Sequence, residues 1–180
     1  MKESVIIYTM GKVGSTTLQK VLKKNGTFKQ VYHIHTLNEA KINRLNEEYK
    51  KIGKKYTGLI DQTLGAIEYN KLTEKPLIVS GVRDFFSRMV SDFFQNAKRN
   101  DLYWGGDLFN NDGSYNIPEI LKYLNNKVDT IDFSKDYVFS WFNNEVKTYF
   151  DFDVFSVPFD KEKGYIIAEL PKCKLLLYRM

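Results

Sequence analysis

The sequence has little cysteine, little histidine and no long apolar run, and each shortage excludes a class of protein. Cys173 is the only cysteine in 180 residues, so an intrachain disulfide is excluded and nothing points to an oxidising compartment. The two histidines form no cluster with other residues at metal-ligand spacing, so no metal is predicted. The N-terminal apolar run from Val5 to Met10 is too short for a signal peptide, and no stretch approaches the ~20 residues that span a bilayer. We therefore expect a cytoplasmic chain without a membrane span.

Composition favours one globular domain, 1–180, because 43% of the residues are apolar and 15% are aromatic. The net charge of +5 raises the question of nucleic acid. Much of the excess comes from lysines in helical stretches, such as Lys50, Lys51, Lys54 and Lys55, and such runs are typical of a solvated helix face. A modest positive balance also suits a small polyanionic ligand. No nucleic-acid partner is predicted, and the oligomeric state stays open.

Four continuous apolar and β-branched runs are typical of strands buried on both faces, as in a parallel sheet. They cover Val5–Met10, Val31–Thr36, Leu77–Val82 and Lys174–Tyr178. Short strands are also predicted at 154–157 and 165–168, and helices at 15–24, 38–55, 85–98, 118–126 and 140–150. The stretch 56–70 is ambiguous between a short helix and irregular structure, and 100–115 is predicted as a loop. The alternation predicts an α/β fold of three layers, with helices flanking a central, mainly parallel sheet.

The turn after the first strand has the composition of a phosphate-binding loop. Its sequence is Gly11-Lys12-Val13-Gly14-Ser15-Thr16-Thr17. Glycines let the backbone curl around oxygen atoms, the lysine supplies a cation, three hydroxyls supply donors, and the helix that follows presents free N–H groups.

The spacing is not that of a Walker A loop, because Lys12 precedes Gly14 and the missing first glycine is not found upstream. The loop instead resembles the 5′-phosphosulfate loop of sulfotransferases that use 3′-phosphoadenosine-5′-phosphosulfate (PAPS). The alternative is a glycine turn without a ligand.

The turn after the third strand carries a second signal. Arg83 stands at the carboxyl end of that strand, Arg88 follows it, and Ser91 lies eight residues after Arg83. This order resembles the 3′-phosphate site of PAPS-dependent sulfotransferases, except that Phe85 replaces the usual proline, which leaves the geometry of the turn open. A guanidinium fork and a hydroxyl suit a terminal phosphate. The alternative is a structural ion pair between Arg83 and Asp84 or Asp92.

Together the two turns resemble the bacterial carbohydrate sulfotransferases of capsular polysaccharide synthesis. The likeness extends from Val5 to Arg179 in layout and is sharp only over Gly11–Thr17 and Val82–Phe94. It implies a P-loop-like fold and transfer of a sulfuryl group from PAPS to a carbohydrate hydroxyl. It also implies that Lys12 stabilises the leaving phosphate. Further implied ligands are Val13, Gly14, Ser15, Thr16 and Thr17 for the 5′-phosphate, and Arg83 and Ser91 for the 3′-phosphate, without a metal.

The two histidines are the first candidates for the general base. His33 and His35 are two residues apart on the second strand, so their side chains project from the same face and approach its carboxyl end, where ligands bind in open α/β sheets. His35 is nearer that edge and is our first choice, with His33, Asp61 and Glu145 as rivals. The other interpretations are two structural histidines or half of a metal site that lacks a third ligand.

Two other classes of function stay open. In a P-loop kinase, Lys12 and Thr16 would contact phosphate and Mg²⁺, although the loop spacing differs and no acidic residue closes an apolar strand. A non-catalytic fragment that binds a nucleotide, or nothing, and assembles with another protein is the other alternative. The sequence reaches Met180 directly after a buried-strand pattern, so we expect a C-terminally truncated form that lacks further helices.

Overall fold

The computed structural model describes residues 3–51, 57–134 and 136–180. By its internal contacts the chain divides into two compact units. Unit 1 comprises Met1–Arg83 and Trp141–Met180, and unit 2 comprises Asp84–Ser140, so unit 2 is one continuous stretch inside the sequence of unit 1. The domain assignment of 1–180 stays a prediction.

Unit 1 contains a five-stranded sheet in the order β2-β1-β3-β5-β4. Its strands are β1 Val5–Tyr8, β2 Val31–Ile34, β3 Leu77–Val82, β4 Tyr165–Glu169 and β5 Lys174–Arg179. Four of them run parallel, and β4 pairs with β5 in the antiparallel direction at the edge. The mixed α/β fold with a mainly parallel sheet flanked by helices is confirmed. The P-loop-like identity stays a prediction.

Helices cover both faces of this sheet, which explains why β1 is fully buried along its length. On one face, Ile6, Tyr8 and Ile78 form part of a core with Ala66 and Ile67 and with Trp141, Phe142, Val146 and Phe150. On the other face, Val5, Ile7 and Val79 pack against Leu18 and Leu22. A strand covered on both faces needs apolar side chains at successive positions, as the sequence of β1 has.

The helices of unit 1 begin with α1 Ser15–Asn25, α2 Glu39–Lys51 and α3 Thr57–Leu72. Gly26 ends α1 in the left-handed conformation, as the sequence predicts. Asn38 caps α2, because its Oδ1 accepts a hydrogen bond from the N–H of Lys41 at 2.9 Å. The predicted end of that helix near residue 55 lies outside the described residues. The ambiguous stretch 56–70 is helical from residue 57 onwards.

Unit 2 contains α4 Phe85–Gln95, α5 Ala97–Trp104 and α6 Ile117–Asp129. The single helix predicted over 85–98 is interrupted at Asn96, which ends α4 and precedes α5. The loop predicted over 100–115 is wrong in its first part, because α5 continues to Trp104 and ends at the left-handed Gly105. Phe93, Ala97, Leu108 and Ile120 form the core of this unit.

A helical stretch that begins in the last residues of unit 2 and continues into the sequence of unit 1 contains an unusual turn. It consists of α7 Tyr137–Trp141, a π-helix over Phe142–Lys147 and α8 Thr148–Phe150. The wider turn buries Phe142, Glu145 and Val146. The strand predicted over 154–157 is wrong, because Val154–Ser156 forms a 3₁₀ turn. The carboxylate of Asp153 accepts a hydrogen bond from the N–H of Phe155 and bends the chain there.

Candidate functional site

The loop between β1 and α1 has backbone angles that few residue types other than glycine adopt. Gly11, Lys12 and Gly14 all have positive φ, at 89°, 60° and 69°. Glycine adopts such values freely, but for lysine the left-handed region costs about 1 kcal/mol or more. A strained non-glycine residue in a loop is a reason to look for a function there.

Side chains from two neighbouring strands hold this loop. Arg83, directly after β3, donates from Nη1 to the carbonyl oxygen of Lys12 at 3.4 Å. Tyr178, on β5, donates from its hydroxyl to the carbonyl oxygen of Val13 at 3.1 Å. The two turns singled out in the sequence therefore meet at one edge of the sheet through the contact between Arg83 and Lys12.

The hydroxyl residues of the loop differ in exposure. Ser15 is buried, with 4% of its surface exposed, whereas Thr16 and Thr17 are exposed. Gly14, rather than Ser15, occupies the N-cap position of α1, and Ser15 is the first helical residue, because the left-handed turn at Gly14 brings the chain into the helix. The N–H groups of the first helical turn have no partners inside a helix and attract anions.

His35 lies beside this loop in a defined orientation. Its Nδ1 is 2.7 Å from the carbonyl oxygen of Thr9. Because a carbonyl oxygen can only accept, Nδ1 carries a proton, and in the neutral ring the lone pair is then on Nε2. A Cβ atom on Gly11 would lie 3.6 Å from Cε1 of the ring, which shows how closely the imidazole approaches the loop. The indole of Trp141 donates to the carbonyl oxygen of His35 at 3.1 Å and fixes the main chain there.

His33 has a less suitable environment for a base. Its ring lies edge-on to that of His35, with the centroids 5.0 Å apart. Burial, the nearby His35 and the charge of Lys23 lower the pKa of His33 to about 4. Its Nε2 is buried and has no hydrogen-bond partner in the described part of the chain. A base with so low a pKa accepts protons weakly at neutral pH.

The carboxylate rivals occupy different settings. Glu145 is buried at 5% exposure and accepts hydrogen bonds from the hydroxyl of Tyr8 and from the N–H of Leu37. Burial and the adjacent carboxylate of Glu145 raise the pKa of Tyr8. Glu145 therefore connects β1 to the segment that follows β2. Asp61 is exposed on α3.

The residues expected to bind the 3′-phosphate belong to different units, Arg83 to unit 1 and Ser91 to unit 2. Their joint role stays a prediction. Asp84 caps α4, because its Oδ1 accepts a hydrogen bond from the N–H of Ser87 at 2.8 Å. Arg88 lines a cavity of about 290 Å³ within unit 2, and its Nε is buried without a partner among the described residues.

Tyr178 is the residue of this site that sequence reasoning missed. It stands in an apolar strand, where a tyrosine is normally a packing residue, and only the fold shows that its hydroxyl reaches the loop 165 positions earlier. Across the described ranges, no three His, Cys, Asp or Glu residues are grouped as metal ligands. None of the described helices has both the length and the apolar character needed to cross a membrane.

No protein-family model matches the sequence, and no match was found among the curated proteins or the solved structures.

Proposed function

We propose that this chain is a cytoplasmic sulfotransferase that transfers a sulfuryl group from PAPS to a hydroxyl of a carbohydrate acceptor. The observation that supports the proposal most is the hydrogen bond from Arg83 to the carbonyl oxygen of Lys12, at 3.4 Å. It brings the two motif residues to the same edge of the sheet, at the carboxyl ends of parallel strands, where open α/β folds bind ligands.

The donor set of the first loop suits a phosphosulfate. Backbone N–H groups of the loop and of the first turn of α1 would bind the 5′-phosphate, together with the hydroxyls of Ser15, Thr16 and Thr17. Lys12 would stabilise the charge that grows on the bridging oxygen as the bond to sulfur breaks. Arg83 and Ser91 would bind the 3′-phosphate, which distinguishes PAPS from other adenine nucleotides.

His35 is the proposed general base. Because its Nδ1 donates to the carbonyl oxygen of Thr9, the lone pair of Nε2 is the one that would accept the proton of the acceptor hydroxyl. The acceptor oxygen forms a bond to sulfur, the bond between sulfur and the bridging oxygen breaks, and its electron pair stays on the departing phosphate. The proton ends on His35. The carbohydrate class of the acceptor rests on the sequence resemblance alone.

Calorimetric titration tests the proposal. The purified chain is titrated with adenosine 3′,5′-bisphosphate, the desulfated product, and in parallel with ATP and Mg²⁺. We expect preferential binding of the bisphosphate. Arg83→Ala should weaken it about 10- to 100-fold, the range for a hydrogen bond to a charged group. Arg44→Ala, which removes an exposed arginine of α2, is the matched control and should leave binding unchanged.

Other outcomes point to the alternatives. Preference for ATP with Mg²⁺, together with no effect of Arg83→Ala, would contradict the sulfotransferase proposal and favour the kinase. Failure to bind either nucleotide would contradict both enzymes and favour a non-catalytic fragment.

A further inference from the structure

Tyr178 connects β5 to the first loop through an unusually close fit. Its hydroxyl donates to the carbonyl oxygen of Val13 at 3.1 Å. Its ring lies over Gly81 of β3, the residue with which it pairs in the sheet. A Cβ atom at Gly81 would lie 2.7 Å from Cζ of the ring and 2.8 Å from the hydroxyl oxygen. The tyrosine reaches the loop in this way only because the neighbouring strand has no side chain there.

The hydrogen bond fixes the direction of one peptide group. No peptide bond among the described residues is cis, and in a trans peptide the C=O and the following N–H point in opposite directions. Since the carbonyl of Val13 is directed at Tyr178, the N–H of Gly14 points away from it. The contact of Arg83 with the carbonyl of Lys12 fixes the N–H of Val13 in the same manner.

We propose that Tyr178 is a positioning residue for the 5′-phosphate. Its hydrogen bond to the carbonyl of Val13 holds the N–H of Gly14 towards the anion. This inference rests on the proposed function, because it assigns a role to the loop in binding that phosphate. Gly14 has φ of 69°, and glycine adopts both hands of the backbone at little cost. Without the hydroxyl of Tyr178, the peptide between Val13 and Gly14 loses the hydrogen bond that sets its direction, and the N–H of Gly14 is less well preorganised.

The test compares two nucleotides that differ only at the 5′ position. Adenosine 3′,5′-bisphosphate and adenosine 3′-monophosphate are titrated calorimetrically into the unaltered chain and into Tyr178→Phe, which keeps the ring over Gly81 and removes the hydroxyl. The matched control is Tyr69→Phe, because Tyr69 also donates its hydroxyl to a backbone carbonyl in unit 1, that of Ser4 at 3.0 Å. Circular dichroism verifies that both variants are folded.

We expect the unaltered chain to bind the bisphosphate more tightly than the monophosphate. Tyr178→Phe should weaken binding of the bisphosphate about three- to tenfold, the range of one neutral hydrogen bond, and should leave binding of the monophosphate unchanged. Tyr69→Phe should change neither affinity.

Equal losses for both nucleotides in Tyr178→Phe, or no loss at all, would overturn the role of Tyr178 and leave the sulfotransferase proposal intact. If the 5′-phosphate adds no affinity in the unaltered chain, the loop does not bind it, and both proposals are overturned together.

Discussion

The two turns that follow β1 and β3 begin helices in opposite ways. α1 starts at the left-handed Gly14, and across the described ranges no side chain caps it. α4 starts at Asp84, whose carboxylate accepts a hydrogen bond from the N–H of Ser87 at 2.8 Å. The first turn has positive φ angles, and the side chains of Arg83 and Tyr178 hydrogen-bond to its carbonyl oxygens. The second turn has ordinary backbone angles, and the side chain of Asp84 within it accepts a hydrogen bond from the start of the helix.

This difference bears on the proposal that the two turns bind the two phosphates of one nucleotide. The uncapped start of α1 leaves backbone N–H groups available to a ligand, which suits a phosphate approached by the main chain. At the start of α4, the carboxylate of Asp84 already accepts a hydrogen bond from a backbone N–H. Its negative charge repels an anion. The proposed binding of the 3′-phosphate at the second turn therefore depends on side chains, those of Arg83 and Ser91.

The largest effect is expected from removal of the cation of the first turn. Lys12→Ala should lower the rate of sulfuryl transfer about 100- to 1000-fold, the range seen when one group that stabilises transition-state charge is lost. The measurement is the release of adenosine 3′,5′-bisphosphate from PAPS in the presence of a panel of saccharides. Lys20→Ala, on the exposed surface of α1, is the control. An unchanged rate in Lys12→Ala would remove the functional reason for the strained first turn.

A smaller effect is expected at the second turn, and in a different property. Asp84→Ala removes the cap of α4 and should lower the free energy of unfolding by about 1 kcal/mol. Urea denaturation measures this loss. Binding of adenosine 3′,5′-bisphosphate should not weaken, since the carboxylate is not a ligand and its removal lowers repulsion. A large loss of affinity in this variant would break the contrast between the two turns.

The smallest effect is expected at His33, whose ring contacts that of His35 beside the first turn. The pKa of His33 is lowered to about 4 from an ordinary value of 6.5. Between these values the unfolded chain binds more protons, so this residue makes the fold less stable as the pH falls from 6.5 towards 4. His33→Phe should reduce the loss of stability between pH 7 and pH 5. The change should be smaller than the about 1.4 kcal/mol per pH unit of a fully buried group, because solvent screens the half-buried ring.

Urea denaturation of both proteins at the two pH values measures this difference. His35→Phe is a useful comparison, since it removes the neighbouring imidazole that helps to lower the pKa of His33. Equal pH dependence in His33→Phe and the unaltered chain would show that His33 titrates normally.

Much of the fold could be predicted because its signals are local. The apolar runs of β1, β2, β3 and β5 mark strands that are covered on both faces, and Gly26 and Asn38 mark helix ends. The antiparallel direction of β4 could not be predicted, since it depends on which neighbour the strand meets. The π-helix at Phe142–Lys147 was also missed, because an extra residue in a turn leaves the apolar pattern nearly unchanged.

In the candidate site too, the features with local signals could be predicted and the long-range contacts could not. The loop composition identified Lys12 and Gly14, and alternation on a strand placed His33 beside His35, as the ring contact bears out. The hydrogen bonds of Tyr178 and of Glu145 were not predicted. Each joins positions more than 130 residues apart in the sequence. Tyr178 is 165 residues from Val13, and Glu145 is 137 residues from Tyr8. Such contacts arise from sheet order and packing, and no spacing in the sequence encodes them.

The left-handed backbone at Lys12 has a practical consequence for protein engineering. A glycine at this position would adopt φ of 60° without strain, so Lys12→Gly is a candidate stabilising substitution in a protein selected for heat resistance alone. Such a selection would discard the ammonium group on which the proposed chemistry depends. Directed evolution of this chain towards stability therefore needs an activity screen in parallel, or position 12 held fixed in the library.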